Sequence, residues 1–316
     1  MRVIHLHHPY NPSQINNKPI VLAMGYFDGV HLGHQEVLRQ ARQLADIKGL
    51  PLAAMTFNQP AAFIFQEANP SSLPQITSLR EKEELMDQAG VDILYVVEMT
   101  SQFVGLAPQD FVDQYMVALG AKYLVAGFDY TYGKKDIANM ARLGFYSQGR
   151  FEIVEVPAFE NQAGKISSRH IRQQLEAGQI ELANESLGYP YFFYGRVIHG
   201  EKRGRTLGFP TANIASHCQV ILPKEGVYLV KCQLLATSVW GLASVGRKVT
   251  FGDDYGLSLE IYLLDFSQEI YGEEMRITWY HYLRPELKFS SVDDLIVQMN
   301  QDEDKGRLYI ADLEEA

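Results

Sequence analysis

Residues 1–186 alternate two hydrophobic patterns. Short unbroken apolar runs, such as Val21-Leu22-Ala23-Met24, have the form of strands buried on both faces. The runs at 52–57, 91–97, 123–126 and 151–156 repeat it. Between them apolar residues recur at helical spacing: Val37, Leu38, Ala41, Leu44 and Ala45 share one face and stop at Gly49. Further helices are predicted from Ser78 (with Glu81, a capping box) to Gly90, from Pro108 onward, and from Ser167 or Ser168 to about Gly178. Regular strand–helix alternation predicts a doubly wound, Rossmann-like parallel sheet, whose ligands bind beyond the carboxyl ends of its strands.

After Leu187-Gly188-Tyr189-Pro190 the pattern changes. The runs 192–198, 226–235, 239–245, 257–266 and 275–282 are rich in Val, Ile, Tyr and Trp and have no helices between them. A helix over 291–299 closes the chain. The expectation is an α/β domain at 1–186 followed by an antiparallel β-barrel with a terminal helix at 187–316.

Length agrees with two domains, because a single core rarely extends through 316 residues. The net charge of −10 argues against a protein that coats nucleic acid. No apolar run reaches the ~18–20 residues of a membrane-spanning helix, and no apolar stretch of a signal peptide follows Arg2. Cys218 and Cys232 are too few for a disulfide framework and read as reduced thiols of a cytoplasmic protein. Against the acidic background one segment is basic: Arg196, Lys202, Arg203 and Arg205 face a single acid, Glu201.

Two strings carry chemistry. Gly25-Tyr26-Phe27-Asp28-Gly29-Val30-His31-Leu32-Gly33-His34 joins the first buried strand to the first helix. Its glycines permit tight turns, the helix start offers free N–H groups to phosphates, and His31 and His34 project from one side of the first turn. The competing reading has the histidines merely capping the helix; the position between strand and helix favours the phosphate site. His5, His7 and His8 lack such a setting and read as surface residues. The second string, Gly200 to Asn213, places glycines at 200, 204 and 208 around the basic residues. In an extended run Thr211 and Asn213 present oxygens to one face, which suits Mg²⁺ beside phosphates. Glu260 lies among Leu259, Ile261 and Leu263, and reads equally as a solvated outer-face residue or a positioned base.

His31-Leu32-Gly33-His34 resembles the HxGH signature of nucleotidyltransferases. The longer GYFDGVHLGH string resembles the FAD-synthetase domain of the bacterial bifunctional riboflavin kinase/FAD synthetase family. Gly127–Gly133 and Ser167-Ser168-Arg169-His170-Ile171-Arg172 agree with it, and GRTLGFPTANI (204–214) resembles the PTAN signature of riboflavin kinases. The resemblance implies catalytic roles for His31, His34, Arg172 and Glu260. It implies nucleotide contacts from Gly25, Asp28, Gly29, Gly33, Ser167, Ser168, Gly204, Arg205, Gly208 and Thr211. Flavin contacts fall to Asp129, Asn139 and Arg284, and the metal to Thr211 and Asn213. The implied substrates are ATP, riboflavin and FMN, with Mg²⁺. The chain departs from the family at Pro60-Ala61, where a His-Pro pair is usual, and at Ala138, Arg169 and Val249. Three alternatives stay open at this point: a kinase whose first domain no longer adenylylates, a flavin or nucleotide sensor without turnover, and a cytidylyl- or other nucleotidyltransferase with an unrelated barrel.

Overall fold

A computed structural model describes residues 1–15, 18–65, 74–161, 164–200, 208–216, 220–234, 237–247 and 257–315. Contacts divide the chain into two compact units, Met1–Ser168 and Arg169–Ala316.

The first unit is built on a six-stranded parallel sheet: β1 (Arg2–Leu6), β2 (Ile20–Met24), β3 (Leu52–Phe57), β4 (Ile93–Val97), β5 (Ala121–Gly127) and β6 (Glu152–Val156), in the order β1-β4-β3-β2-β5-β6. Every residue of β2 and β3 is buried, as their unbroken apolar runs require. β1 escaped the sequence reading because it is an edge strand; Arg2 and His5 stay exposed and break its run. Around the sheet lie α1 (Leu32–Lys48), α2 (Ala62–Phe65), α3 (Leu79–Gln88), α4 (Ser101–Val104), α5 (Pro108–Val112) and α6 (Met140–Ser147). A short hairpin, β7 (Glu160–Asn161) and β8 (Gly164–Lys165), follows β6. His8 corrects the surface expectation: it is half-buried, with Nδ1 3.0 Å from the Tyr115 hydroxyl.

Strand order decides where a ligand goes. The chain enters at the edge strand β1 and crosses to β2; from there it runs through β3 and β4 back towards β1 on one side, and then through β5 and β6 on the other. The loops leaving Met24 and Ala126, which are paired in register, therefore diverge and open a crevice between them.

The second unit begins with α7 (Ser168–Ala177) and α8 (Ile180–Leu187). These helices dock on the barrel: Asn184 Nδ2 donates to the Trp279 carbonyl at 2.9 Å, and Glu181 accepts from the Tyr282 amide at 3.0 Å. The contact boundary accordingly precedes them, whereas the composition change comes after them, near residue 186. The barrel is closed and antiparallel: β9 (Phe192–Ile198), β10 (Thr211–Ser216), β11 (Gly226–Leu234), β12 (Thr237–Arg247), β13 (Leu257–Leu263) and β14 (Glu274–Arg284), in the order β10-β13-β12-β11-β14-β9. Phe193, Tyr228 and Trp279 are fully buried. Each such side chain contributes ~1.5–3 kcal/mol by leaving water. The terminal helix α9 (Val292–Glu315) is longer than its pattern foretold. It covers the outer barrel wall, where Tyr309 and Ile310 pack on Val227, Leu229 and Leu242.

Candidate active sites

In the first unit the crevice is a cavity of about 490 Å³ lined by Gly25, His31, Gly33, His34, Asp129, Ser167 and Ser168, among others. The turn from β2 into α1 is held from behind. Asp28 is buried, and its Oδ1 accepts the amides of Ile76 (3.0 Å) and Thr77 (3.2 Å). Its carbonyl accepts the Ser168 hydroxyl at 2.8 Å. Asp28 and Ser168 thus shape the turn, beyond any ligand contact. Gly29 donates to Thr77 Oγ1 at 2.9 Å with φ +81°, and a Cβ there would meet Ile76 at 3.0 Å, so only glycine fits.

His31 is the N-cap of α1: its Nδ1 accepts the His34 amide at 3.4 Å. The neutral ring therefore carries its proton on Nε2, a donor for an anionic oxygen. Burial is the main cause that pushes His31 down to about 4. Burial also holds His34 well below its ordinary value, with the neighbouring His31 and Lys82 adding to the effect. Both imidazoles are therefore neutral near pH 7. Gly33 packs closely beneath them, and a Cβ there would lie 3.2 Å from His31 Cε1.

Asp129 reaches the same cavity but is ion-paired to Lys165, Nζ to Oδ2 at 2.7 Å. Asn139, expected to contact flavin, caps α6: Oδ1 accepts the Arg142 amide and Nδ2 donates to the Lys135 carbonyl. It pairs with Thr131, which lines the cavity. Pro60 and Ala61, at the place of the missing histidine, line the same wall. Arg172 lies on α7 in the second unit.

In the barrel unit, alternation puts Leu259, Ile261 and Leu263 inside and Glu260 outside. The outer face is not bare, because Tyr262 beside it packs under α9. Glu260 lines a cavity of about 260 Å³ between the outer wall and the terminal helix, with Thr211, Tyr262, Arg284, Phe289 and Met299. The site therefore belongs to the barrel's outer wall. The Thr211 hydroxyl donates to Glu260 Oε2 at 3.2 Å. Thr211 also lines a second cavity of about 360 Å³ with Gly208, Pro210 and Tyr271, so it stands in the wall between the two. Asn213 pairs with Glu260 across the strands, is buried, and packs against Gly200, where an added Cβ would meet its amide. Arg284 forms a bidentate pair with the buried Asp302 of α9 (2.8–3.0 Å). Gly204 and Arg205 lie outside the described residues, as does Cys218. Cys232 is buried, and burial pushes its thiol up, so it is a packing residue.

Sequence reasoning missed Lys82, Lys165 and Asp302. Lys82 lies in a predicted helix and Asp302 beyond the end of the predicted terminal one, and only the fold reveals that both are covered.

Among the described residues no helix is long and apolar enough to cross a membrane. A family model described as FAD synthetase matches residues 13–170, and one described as riboflavin kinase matches 187–310. The chain is 48% identical over 315 residues to a bifunctional riboflavin kinase/FMN adenylyltransferase of Listeria monocytogenes, covering 100% of both. It is 41% identical to a protein of the same name from Bacillus subtilis, over 99% of each. A crystal structure named for a macrolide-efflux protein of Streptococcus pneumoniae is 37% identical, covers 96% of this chain and 99% of its own, and superposes with a TM-score of 0.88.

Proposed function

Because the chain belongs to the family of bifunctional riboflavin kinases/FMN adenylyltransferases, we propose that its two units divide that family's two reactions between them. The chain transfers the γ-phosphoryl group of ATP to riboflavin, giving FMN. It then joins FMN to AMP from a second ATP, giving FAD and pyrophosphate. The assignment of sites is supported above all by one relationship: Thr211 and Glu260, 49 residues apart, meet at the wall between two cavities of the barrel unit.

For phosphorylation, ATP occupies the side of Gly208 and Pro210, and riboflavin lies on the side of Arg284 and Phe289. The terminal ribityl hydroxyl gives its proton to Glu260 as its oxygen bonds to the γ-phosphorus, and ADP departs with the bridging oxygen. The Thr211 hydroxyl and Asn213 amide oxygens form the small, hard donor set that suits Mg²⁺, which neutralises triphosphate charge when bound. Thr211 holds the Glu260 carboxylate at the point of transfer.

For adenylylation, an oxygen of the FMN phosphate attacks the α-phosphorus of ATP and the bond to the β-phosphate oxygen breaks. No covalent enzyme intermediate is needed. His31 and His34 donate to the phosphate oxygens as charge accumulates there, and the α1 N-terminus adds its partial positive charge. Ser167 and Asp129 border the same space, where Phe128 and Tyr130 offer apolar walls to a flavin ring. The protein is assigned to the cytoplasm, with small molecules as its partners rather than nucleic acid or membrane.

The test is direct: incubate pure protein with riboflavin, ATP and Mg²⁺, and separate the flavins by chromatography. FAD supports the proposal. FMN alone leaves only a kinase, and unchanged riboflavin points to a sensor.

A further inference from the structure

Among the described residues of the first unit, Lys82 on α3 is the most enclosed cation, 1% exposed, with its ammonium inside the protein rather than snorkelling to water. Burying a lysine is unfavourable unless its charge is used, and here its partners all belong to the phosphate-binding turn or its support. Nζ donates to the Tyr26 carbonyl at 2.9 Å and to Thr56 Oγ1 at 3.2 Å, and sits 4.3 Å above the Tyr26 ring. Thr56 Oγ1 donates to the same Tyr26 carbonyl at 2.8 Å. One carbonyl is thus clamped by two donors.

The clamp sits where the backbone is least able to hold itself. Phe27 and Val30, both non-glycine, have φ of +54° and +34°, and Gly29 follows the same left-handed course at +81°. Such residues persist only when their surroundings over-determine them. Across a trans peptide the carbonyl and the next amide point in opposite directions. With the Tyr26 carbonyl drawn back onto Lys82 and Thr56, the Phe27 N–H is turned the other way, and Tyr26 and Phe27 both line the cavity.

We infer that Lys82 is a positioning residue of the adenylylation site, which fixes the Tyr26–Phe27 peptide so that its N–H serves an anionic phosphate oxygen, and places a buried positive charge behind the turn. Asp28, buried in the same turn, is the charge that offsets it, and the neighbouring Glu81 is buried as well. Burial pushes the ammonium down to about 8, against the opposing pull of Asp28, so it remains mostly charged near neutrality. Its field also disfavours protonation of His34. The cation acts on phosphate without touching it, in a setting where water screens little.

This inference rests on the adenylylation reading, and the test separates the two. Full-length parent, Lys82→Met and Lys82→Arg are assayed for FAD from FMN and, in the same preparations, for FMN from riboflavin. In Lys82→Met the adenylylation kcat is expected to fall about 100-fold, with riboflavin phosphorylation within about twofold of the parent. Lys82→Arg is expected to recover at least about tenfold of that loss, because it restores a charged donor. A purely packing role gives the reverse order, since Met fills the space and the larger Arg strains it. Adenylylation by Lys82→Met within about threefold of the parent, or Met outperforming Arg, overturns the inference. Should Lys82→Met fail to fold, Thr56→Val decides: it removes one clamp donor and keeps the cation. A fall in its adenylylation kcat supports the clamp, and an unchanged kcat overturns it. If the parent makes no FAD from FMN, the adenylylation reading itself is what fails.

Discussion

The imidazole rings of His31 and His34 are stacked, with centroids 3.7 Å apart and planes 17° from parallel. Two imidazolium ions in that arrangement would repel strongly, so protonation of one disfavours protonation of the other. Phe27 packs on His34 in a T-shaped pair with centroids 5.3 Å apart. Neutral imidazoles of this kind each keep one N–H to donate.

The pair makes the first unit's stability depend on pH. His31 binds its proton less readily in the folded chain, at about 4, than at the ordinary 6.5 of an unfolded one. Between those values the unfolded state holds more protons, so stability falls as the medium is acidified from about pH 6.5 towards 4. The slope approaches about 1.4 kcal/mol per pH unit for each such histidine. Urea denaturation of the parent and His31→Gln across that range checks this, and the variant is expected to show the shallower slope.

Gly33→Ala places a methyl 3.2 Å from the His31 ring, which the stacked His34 keeps from giving way. Adenylylation is expected to drop about 10–100-fold through misplacement of a reacting group, with the melting transition unchanged. Steady-state assays beside calorimetry distinguish this from unfolding.

Thr211→Val removes the hydroxyl that meets Glu260 and leaves the shape of the strand. FMN formation is expected to fall about 100-fold, while FAD formation from added FMN is preserved.

The Arg284–Asp302 pair has side chains only 16% and 7% exposed. Removing one partner strands a covered charge, so Asp302→Ala is expected to destabilise the barrel unit by about 3–5 kcal/mol. It should also raise the KM for riboflavin, because Arg284 then loses its hold on the cavity wall. Guanidinium melts followed through Trp240 and Trp279, and riboflavin titrations, measure the two effects.

Much of this was legible in the residues. The unbroken run of β2, the glycine-rich turn and the helix start at His31 were legible as a strand–turn–helix unit, and His31 makes the helix cap that the competing reading described. Thr211, Asn213 and Glu260 are legible by alternation, but alternation cannot say what covers an outer face, and α9 does so from the far end of the chain. The cap that Asn139 makes on α6 is not legible at its motif, because a polar residue there looks the same whether it caps a helix or meets a ligand. Lys82 gives no signal at all, since a lysine beside Glu81 in an amphipathic helix normally faces water. Long-range burial, not local pattern, decides these cases.

Independence of the two sites is tested most directly by a reciprocal pair of variants assayed separately for each step. Glu260→Gln is expected to lose FMN formation by about 1,000-fold and still convert supplied FMN to FAD, whereas His31→Ala is expected to phosphorylate riboflavin normally and accumulate FMN. Equal loss of both activities in either variant would contradict the account.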